Sequence, residues 1–212
     1  MRAVDLAPLP VMPELRRLIP GLPRGQAVEV DESGALAMAL TAGASQAGSW
    51  CAVVGLPEYG VAAAAELGVE VDRLLLVDQP GERWVDVAAV LLEAVDVVVI
   101  RATSRPTPAI VRRLTAVARK ARSCLLVVGP WEGAQLRLWG ASSLWTGVGH
   151  GHGHLQGRRA EVVATGRGAD GRPRTAWLWL PGPDGRVAAA DLSAVDPVAD
   201  NLLDDTMDGV AS

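Results

Sequence analysis

Short, uninterrupted apolar runs alternate with helical stripes along the first 130 residues, and this alternation narrows the fold more than any other feature. Gln26–Val30 reads as a strand and Leu36–Ala47 as an apolar-faced helix. Cys51–Val54 precedes a helix over Pro57–Leu67, Leu74–Val77 precedes one over Glu82–Ala94, and Val95–Ile100 precedes one over Pro108–Arg122. Cys124–Val128 closes the series. Continuous apolar strands suit a parallel sheet covered on both faces. Thr107-Pro108 supplies an N-cap and a proline at the first helical position. Glu82 and Asp86 place negative charge at the start of the helix upstream, where the macrodipole favours it. After Gly140 the pattern changes. Arg158–Thr165 and Thr175–Leu180 read as strands about a Gly/Asp/Arg turn, with a further short strand over Arg186–Ala190. The expected fold is α/β: a mostly parallel sheet flanked by helices, with a C-terminal antiparallel extension.

The turn between the first strand and its helix, Asp31-Glu32-Ser33-Gly34-Ala35, sits where a phosphate-binding loop would lie. Such a loop needs about eight residues ending in Gly-Lys-Ser/Thr, with the lysine on the β/γ-phosphates and the hydroxyl on Mg²⁺. Here Ala35 and Leu36 occupy those two places, and Lys120 is the sole lysine of the chain. Asp31 and Glu32 would also repel a triphosphate. At about 4 Å and an effective dielectric near 20, one such pair costs about 4 kcal/mol. No nucleotide cofactor, metal or catalytic residue is therefore expected.

At 212 residues the chain is long enough for one full α/β core. The core is expected over residues 13–190. Pro8, Pro10 and Pro13 break the N-terminal stretch, which lacks a secretory apolar region, and no apolar run approaches a bilayer span. Cys51 and Cys124 fall within apolar runs and read as buried free thiols in a reducing cytoplasm. The net charge of −4 hides an asymmetry. Residues 191–212 carry six aspartates and no basic residue, so the rest of the chain nets about +2. That acidic segment reads as flexible, and its Leu202-Leu203 pair as a candidate docking motif.

Several segments together resemble the RecA ATPase core. Leu22-Pro23-Arg24-Gly25-Gln26-Ala27-Val28-Glu29-Val30 looks like the lead-in to its phosphate loop. Leu67-Gly68-Val69-Glu70-Val71-Asp72-Arg73-Leu74-Leu75 is similar to the segment after its second helix, and Val95–Ile100 to the strand carrying the Walker B aspartate. Within that group the chain most resembles the ImuA family, in its shortened actinobacterial form. The clues are Pro13-Glu14-Leu15-Arg16-Arg17-Leu18-Ile19-Pro20-Gly21, the Leu-Pro-Arg-Gly lead-in and a start directly at the core. The resemblance implies a non-catalytic accessory of an SOS-induced mutagenic translesion synthesis complex. Its implied partners are an ImuB-type inactive Y-family polymerase relative and an error-prone C-family DNA polymerase, with DNA reached through that complex. Against active RecA, Leu56 stands where the catalytic glutamate would be and Arg101 where the Mg²⁺-linked aspartate would be. The segment after Arg101 passes almost directly into a helix, which removes the first DNA-binding loop.

Other residues leave alternatives open. His150, His152 and His154 alternate with glycines; they are three potential Zn²⁺ ligands on one strand face, or solvated imidazoles in a Gly-rich loop. Arg101, Arg105, Arg112, Arg113, Arg119, Lys120 and Arg122 form a basic run free of acids, either a phosphate-binding surface or a solvated helix face. Arg158, Arg159, Arg167, Arg172 and Arg174 form a second basic group. Trp131, Trp139 and Trp145 are either core residues of a chain without Phe or a partner surface, since Trp and Arg dominate binding hot spots. The functional alternatives to an adaptor are thus a nucleic-acid-binding module acting through the arginines and a nucleotide-sensing pseudo-ATPase.

Overall fold

The computed structural model describes residues 7–31, 34–149, 152–169 and 171–190. Its strands are β1 (Ala27–Val30), β2 (Cys51–Val54), β3 (Leu74–Val77), β4 (Val97–Ile100), β5 (Cys124–Val128), β6 (Leu136–Gly149), β7 (His152–Gly166), β8 (Arg174–Trp179) and β9 (Ala188–Ala189). The helices are α1 (Gly34–Gln46), α2 (Val61–Glu66), α3 (Trp84–Ala94) and α4 (Pro108–Ala121), with short 3₁₀ turns between. All strands join one sheet in the order β3-β2-β4-β5-β1-β6-β7-β8-β9. The pairs from β3 through to β6 are parallel; β6-β7, β7-β8 and β8-β9 are antiparallel. The fold is therefore α/β, with a mostly parallel half and an antiparallel C-terminal half.

Alternation along the central strands divides the core into two layers. Val97 and Val99 of β4 pack with Val28, Val30, Leu36 and Leu40 on one face. Val98 and Ile100 pack with Leu92, Leu114, Ala118 and Trp131 on the other. Helix α1 is buried on every side from Leu36 to Ser45, as a helix apolar all round must be. Its two buried hydroxyls are satisfied: Thr41 donates to the Ala37 carbonyl at 2.8 Å, and Ser45 accepts the Glu70 N–H at 2.9 Å. The N-terminal segment crosses α1 closely. A Cβ on Gly43 would stand 2.4 Å from the Val11 carbonyl carbon. Leu9 and Val11 are buried, so the packed core reaches upstream of residue 13.

Three expectations need correction. The segment Pro57–Leu67 forms only the short helix α2, because Pro57 and Gly60 delay its start and Tyr59 turns inward, 6% exposed. β3 is a sheet edge, so its apolar run is not covered on both faces: Leu75 and Leu76 are 40% and 39% exposed. The stretch from Leu136 to Gly149, not read as a strand from sequence, is the long strand β6. It begins parallel to β1 and continues as one arm of a hairpin with β7, with a register shift between Gly140 and Ser142. Among the described residues no helix is long and apolar enough to cross a membrane. Residues 191–212, including Leu202 and Leu203, lie outside the described residues.

Candidate functional site

In open α/β sheets, ligands sit beyond the carboxyl ends of the parallel strands. At that edge Asp31 follows β1, and its N–H donates to the Leu138 carbonyl at 3.0 Å. The Asp31 carboxylate accepts the Gly140 N–H at 2.6 Å. Both contacts hold β6 against β1, so Asp31 serves the sheet. Glu32 and Ser33 lie outside the described residues. Gly34 opens α1 in open space, with nothing within 4 Å of an added Cβ. Ala35 packs against the core, and Leu36 is 1% exposed where a phosphate loop would hold its Mg²⁺-binding hydroxyl.

The other two positions of interest are likewise engaged in packing. Leu56, just past β2, is 2% exposed and belongs to the first core layer. Arg101, just past β4, donates its N–H to the Val54 carbonyl at 3.1 Å and forms an ion pair with Glu58. The guanidinium therefore stands beside a carboxylate of the α2 approach.

A cleft of about 790 Å³ opens at the same edge, between Arg101, Arg105 and the segment after β5. Glu29 of β1 crosses its floor. Its Oε2 accepts the Trp131 N–H at 2.9 Å and the Arg137 Nε–H at 3.3 Å. Trp131 is 1% exposed in the second core layer. This corrects its assignment to a partner surface: Glu29 draws the chain inward after β5, and the indole fills the space between sheet and α4.

Helix α4 starts as its sequence demands. The Thr107 hydroxyl accepts the Ile110 N–H at 3.4 Å and Pro108 occupies the first turn. Leu114 and Ala118 are its fully buried residues, so Arg112, Arg113, Arg119 and Arg122 stay on exposed surface. Arg113 reaches α3 and pairs with Asp86 at 2.8 Å. Arg112 borders a recess of about 440 Å³ with Val111, Thr115 and Glu132. Arg105 borders the carboxyl-edge cleft, whereas Arg119 and Arg122 stand at the opposite end of α4. The basic run is thus divided between two edges of the sheet.

The β6-β7 hairpin carries the exposed aromatics. Trp139 and Trp145 are 37% and 50% exposed, and Leu144 and Leu155 accompany them. The Arg158 guanidinium lies 5.9 Å from the Trp145 ring centre, and that of Arg159 lies 4.7 Å from Trp179. Such stacking steadies large rings on an exposed face. Sequence reasoning singled out Trp139 and Trp145 and read part of β7 as a strand, but missed β6 and the exposed Leu144 and Leu155. His150 lies outside the described residues; His152 and His154 sit two apart on β7. Among the described residues, no three His, Cys, Asp or Glu side chains gather as a metal site.

Cys51 and Cys124 are both buried and unbonded to each other. Burial, reinforced by the Asp96 charge, pushes the Cys51 thiol up to about 12. Burial also pushes Cys124 up to about 12, with a smaller upward effect from Cys51 and an opposing one from Arg24. Both are therefore structural thiols rather than nucleophiles at neutral pH. The Tyr59 hydroxyl is raised as well, first by burial and then by Cys51.

Residues 17–133, just over half the chain, match the model of the MT3502 N-terminal domain. Over 119 residues the chain is 37% identical to the uncharacterized protein Rv3395c of Mycobacterium tuberculosis (strain ATCC 25618 / H37Rv). That match takes in 55% of this chain and 58% of the relative's length. Among solved structures, the RadB recombinase superposes with a TM-score of 0.53 at 15% identity, over 81% of this chain and 93% of that one. A KaiC-like protein from Pyrococcus horikoshii OT3 gives 0.55 at 12% identity, over 89% and 100%. At such identities the likeness is one of fold, and it fits a RecA-like core. The chain belongs to the MT3502 N-terminal domain family.

Proposed function

We propose that this chain is a non-catalytic accessory subunit of an SOS-induced, mutagenic translesion DNA synthesis complex in the cytoplasm. In that role it binds an ImuB-type inactive Y-family polymerase relative, alongside an error-prone C-family DNA polymerase. One observation carries the reading: at the described positions where a RecA-like ATPase would place its chemistry, the side chains hold the fold together. Asp31 fastens β6, Leu36 and Leu56 fill the core, and Arg101 pairs with Glu58. Phosphoryl transfer depends on positioned Lys, Mg²⁺ ligands and a group that orients the nucleophile, and those side-chain types are missing from these places.

The β6-β7 arm supports the binding half of the proposal. Trp139, Leu144, Trp145 and Leu155 are exposed on one hairpin, and aromatic anchors of this kind dominate interface energetics. Co-expression with an ImuB-type protein, followed by affinity purification of either chain, tests the reading. Recovery of a one-to-one or higher complex is expected. No association of the purified proteins at micromolar concentration overturns it.

A further inference from the structure

Four arginines from three separate segments meet at the amino-terminal edge of the sheet, opposite the carboxyl-edge cleft. Arg24 precedes β1, Arg119 and Arg122 end α4, and Arg167 follows β7; with Gln26 and Gln135 they line a recess of about 310 Å³. The convergence is built by backbone contacts. The Gly25 N–H donates to the Ser123 carbonyl at 2.8 Å, and a Cβ on Gly25 would stand 3.2 Å from the Arg119 Cα. This glycine also has φ of +73°, so the close approach and the conformation both require it. The Arg167 N–H donates to the Gln135 carbonyl at 2.9 Å, which fixes the other wall.

The charge of this recess is poorly compensated. Arg24 donates to Asp96 at 3.1 Å and to the Arg122 carbonyl at 3.4 Å. Asp96 thus offsets one arginine, and Arg24 caps one of the last carbonyls of α4, whose dipole would otherwise oppose an anion. Arg119, Arg122 and Arg167 are exposed and form no ion pair with a carboxylate among the described residues. Arg122 holds the left-handed conformation at φ +61°, where the helix end would be more relaxed with glycine. Three guanidiniums left facing one recess repel one another, and a bound anion would relieve that repulsion.

We infer that this recess grips a phosphate of single-stranded nucleic acid, with the strand continuing along α4 towards Arg112. Guanidinium forks match phosphate oxygens bidentately. Arg119 also borders the neighbouring recess, where Pro108, Val111, Thr115 and Ala116 offer a partly apolar slot between Arg112 and the Glu132 carboxylate, which would turn the phosphate towards the arginines and leave the slot to the base. A cationic seat next to such a slot suits a phosphodiester followed by a base. A concave recess at a sheet edge admits a flexible single strand more readily than a rigid duplex. Among the described residues no aromatic side chain lines either recess, so the proposed grip is on the backbone and independent of sequence. This inference goes beyond the adaptor role and stands on different residues.

The test is fluorescence anisotropy of the full chain with a labelled oligothymidylate across a salt series. Arg119→Gln/Arg122→Gln/Arg167→Gln should weaken binding about tenfold or more and make the salt slope shallower by about one to two units. Arg105→Gln, at the other edge, should stay within about twofold. Thermal melts of each variant check that these exposed changes leave the fold intact. An unchanged triple variant, or no binding by the unaltered chain at low salt, overturns the proposal. Equal competition by inorganic phosphate or by polyaspartate overturns the nucleic-acid assignment.

Discussion

The Asp31 carboxylate receives the Gly140 N–H at 2.6 Å, binding the end of β1 to the β6 arm. A charged acceptor in a short hydrogen bond to backbone is among the stronger contacts available to a sheet. It joins the parallel half of the sheet to the antiparallel half at the point where a nucleotide fold would turn towards its phosphates. Asp31→Ala should therefore destabilise the chain by about 1–3 kcal/mol, measured by urea unfolding. An unchanged midpoint would mean that the contact contributes nothing to holding β6.

Restoring the missing side chains should damage the core without creating an ATPase. Leu36 is 1% exposed, so Ala35→Lys/Leu36→Thr removes a buried methyl and buries a hydroxyl. A loss of about 2–4 kcal/mol is expected, with no gain in phosphate release from ATP. Measurable turnover by this double variant would show that only two side chains separate the chain from an active site.

Gly43 and Gly34 should respond in opposite directions to alanine. Alanine favours a helix by about 1 kcal/mol over glycine. At Gly43 the new Cβ would meet the Val11 and Met12 backbone at 2.4–2.5 Å, and neighbouring Leu9 and Val11 are buried. Overpacking of that kind costs about 1–3 kcal/mol, so Gly43→Ala should lower the melting temperature. Gly34→Ala meets nothing within 4 Å and should raise it slightly.

The two thiols predict a pH dependence. Both have folded values of about 12 against an ordinary value of 9.0. A raised value means that the unfolded chain releases its protons first. This contribution to stability is full below about pH 9 and declines as pH rises towards 12. Urea midpoints should therefore fall across that alkaline window, and less so in Cys51→Ala/Cys124→Ala. At pH 8, a thiol reagent should react slowly with the native chain and rapidly in denaturant.

The tryptophans separate packing from binding. Trp131→Ala should cost about 3–5 kcal/mol, because a large buried side chain is removed from the second core layer. Trp145→Ala, at 50% exposure, should change stability by less than about 1 kcal/mol yet weaken association with the proposed ImuB-type partner at least tenfold. Equal affinity in Trp145→Ala would move the partner surface away from the hairpin tip.

The parallel half of the fold was legible because its strands are apolar on both faces and its helices carry local start signals. Val97–Ile100 and Cys124–Val128 are buried at every position, and Thr107-Pro108 caps α4 as read. β6 was not legible, because Gly140, Ala141, Ser142 and Ser143 have little strand preference of their own. Their conformation comes from pairing with β7, a tertiary partner invisible to a local window. The same limit applies to the arginine recess. Arg119 and Arg122 stood out in the basic run, and Arg167 in a second group. Only the strand order β5-β1-β6-β7 brings them beside Arg24. Trp131 misled because aromatic residues serve cores and interfaces alike, and Glu29 decides between the two.

The proposed function requires that the places where a RecA-like ATPase holds its nucleotide serve packing instead in this chain. Isothermal titration of the full chain with ATP and Mg²⁺ tests this most directly. No saturable heat up to millimolar nucleotide is expected. Saturable binding in the micromolar range, lost on altering residues at the β1–α1 turn, would contradict it.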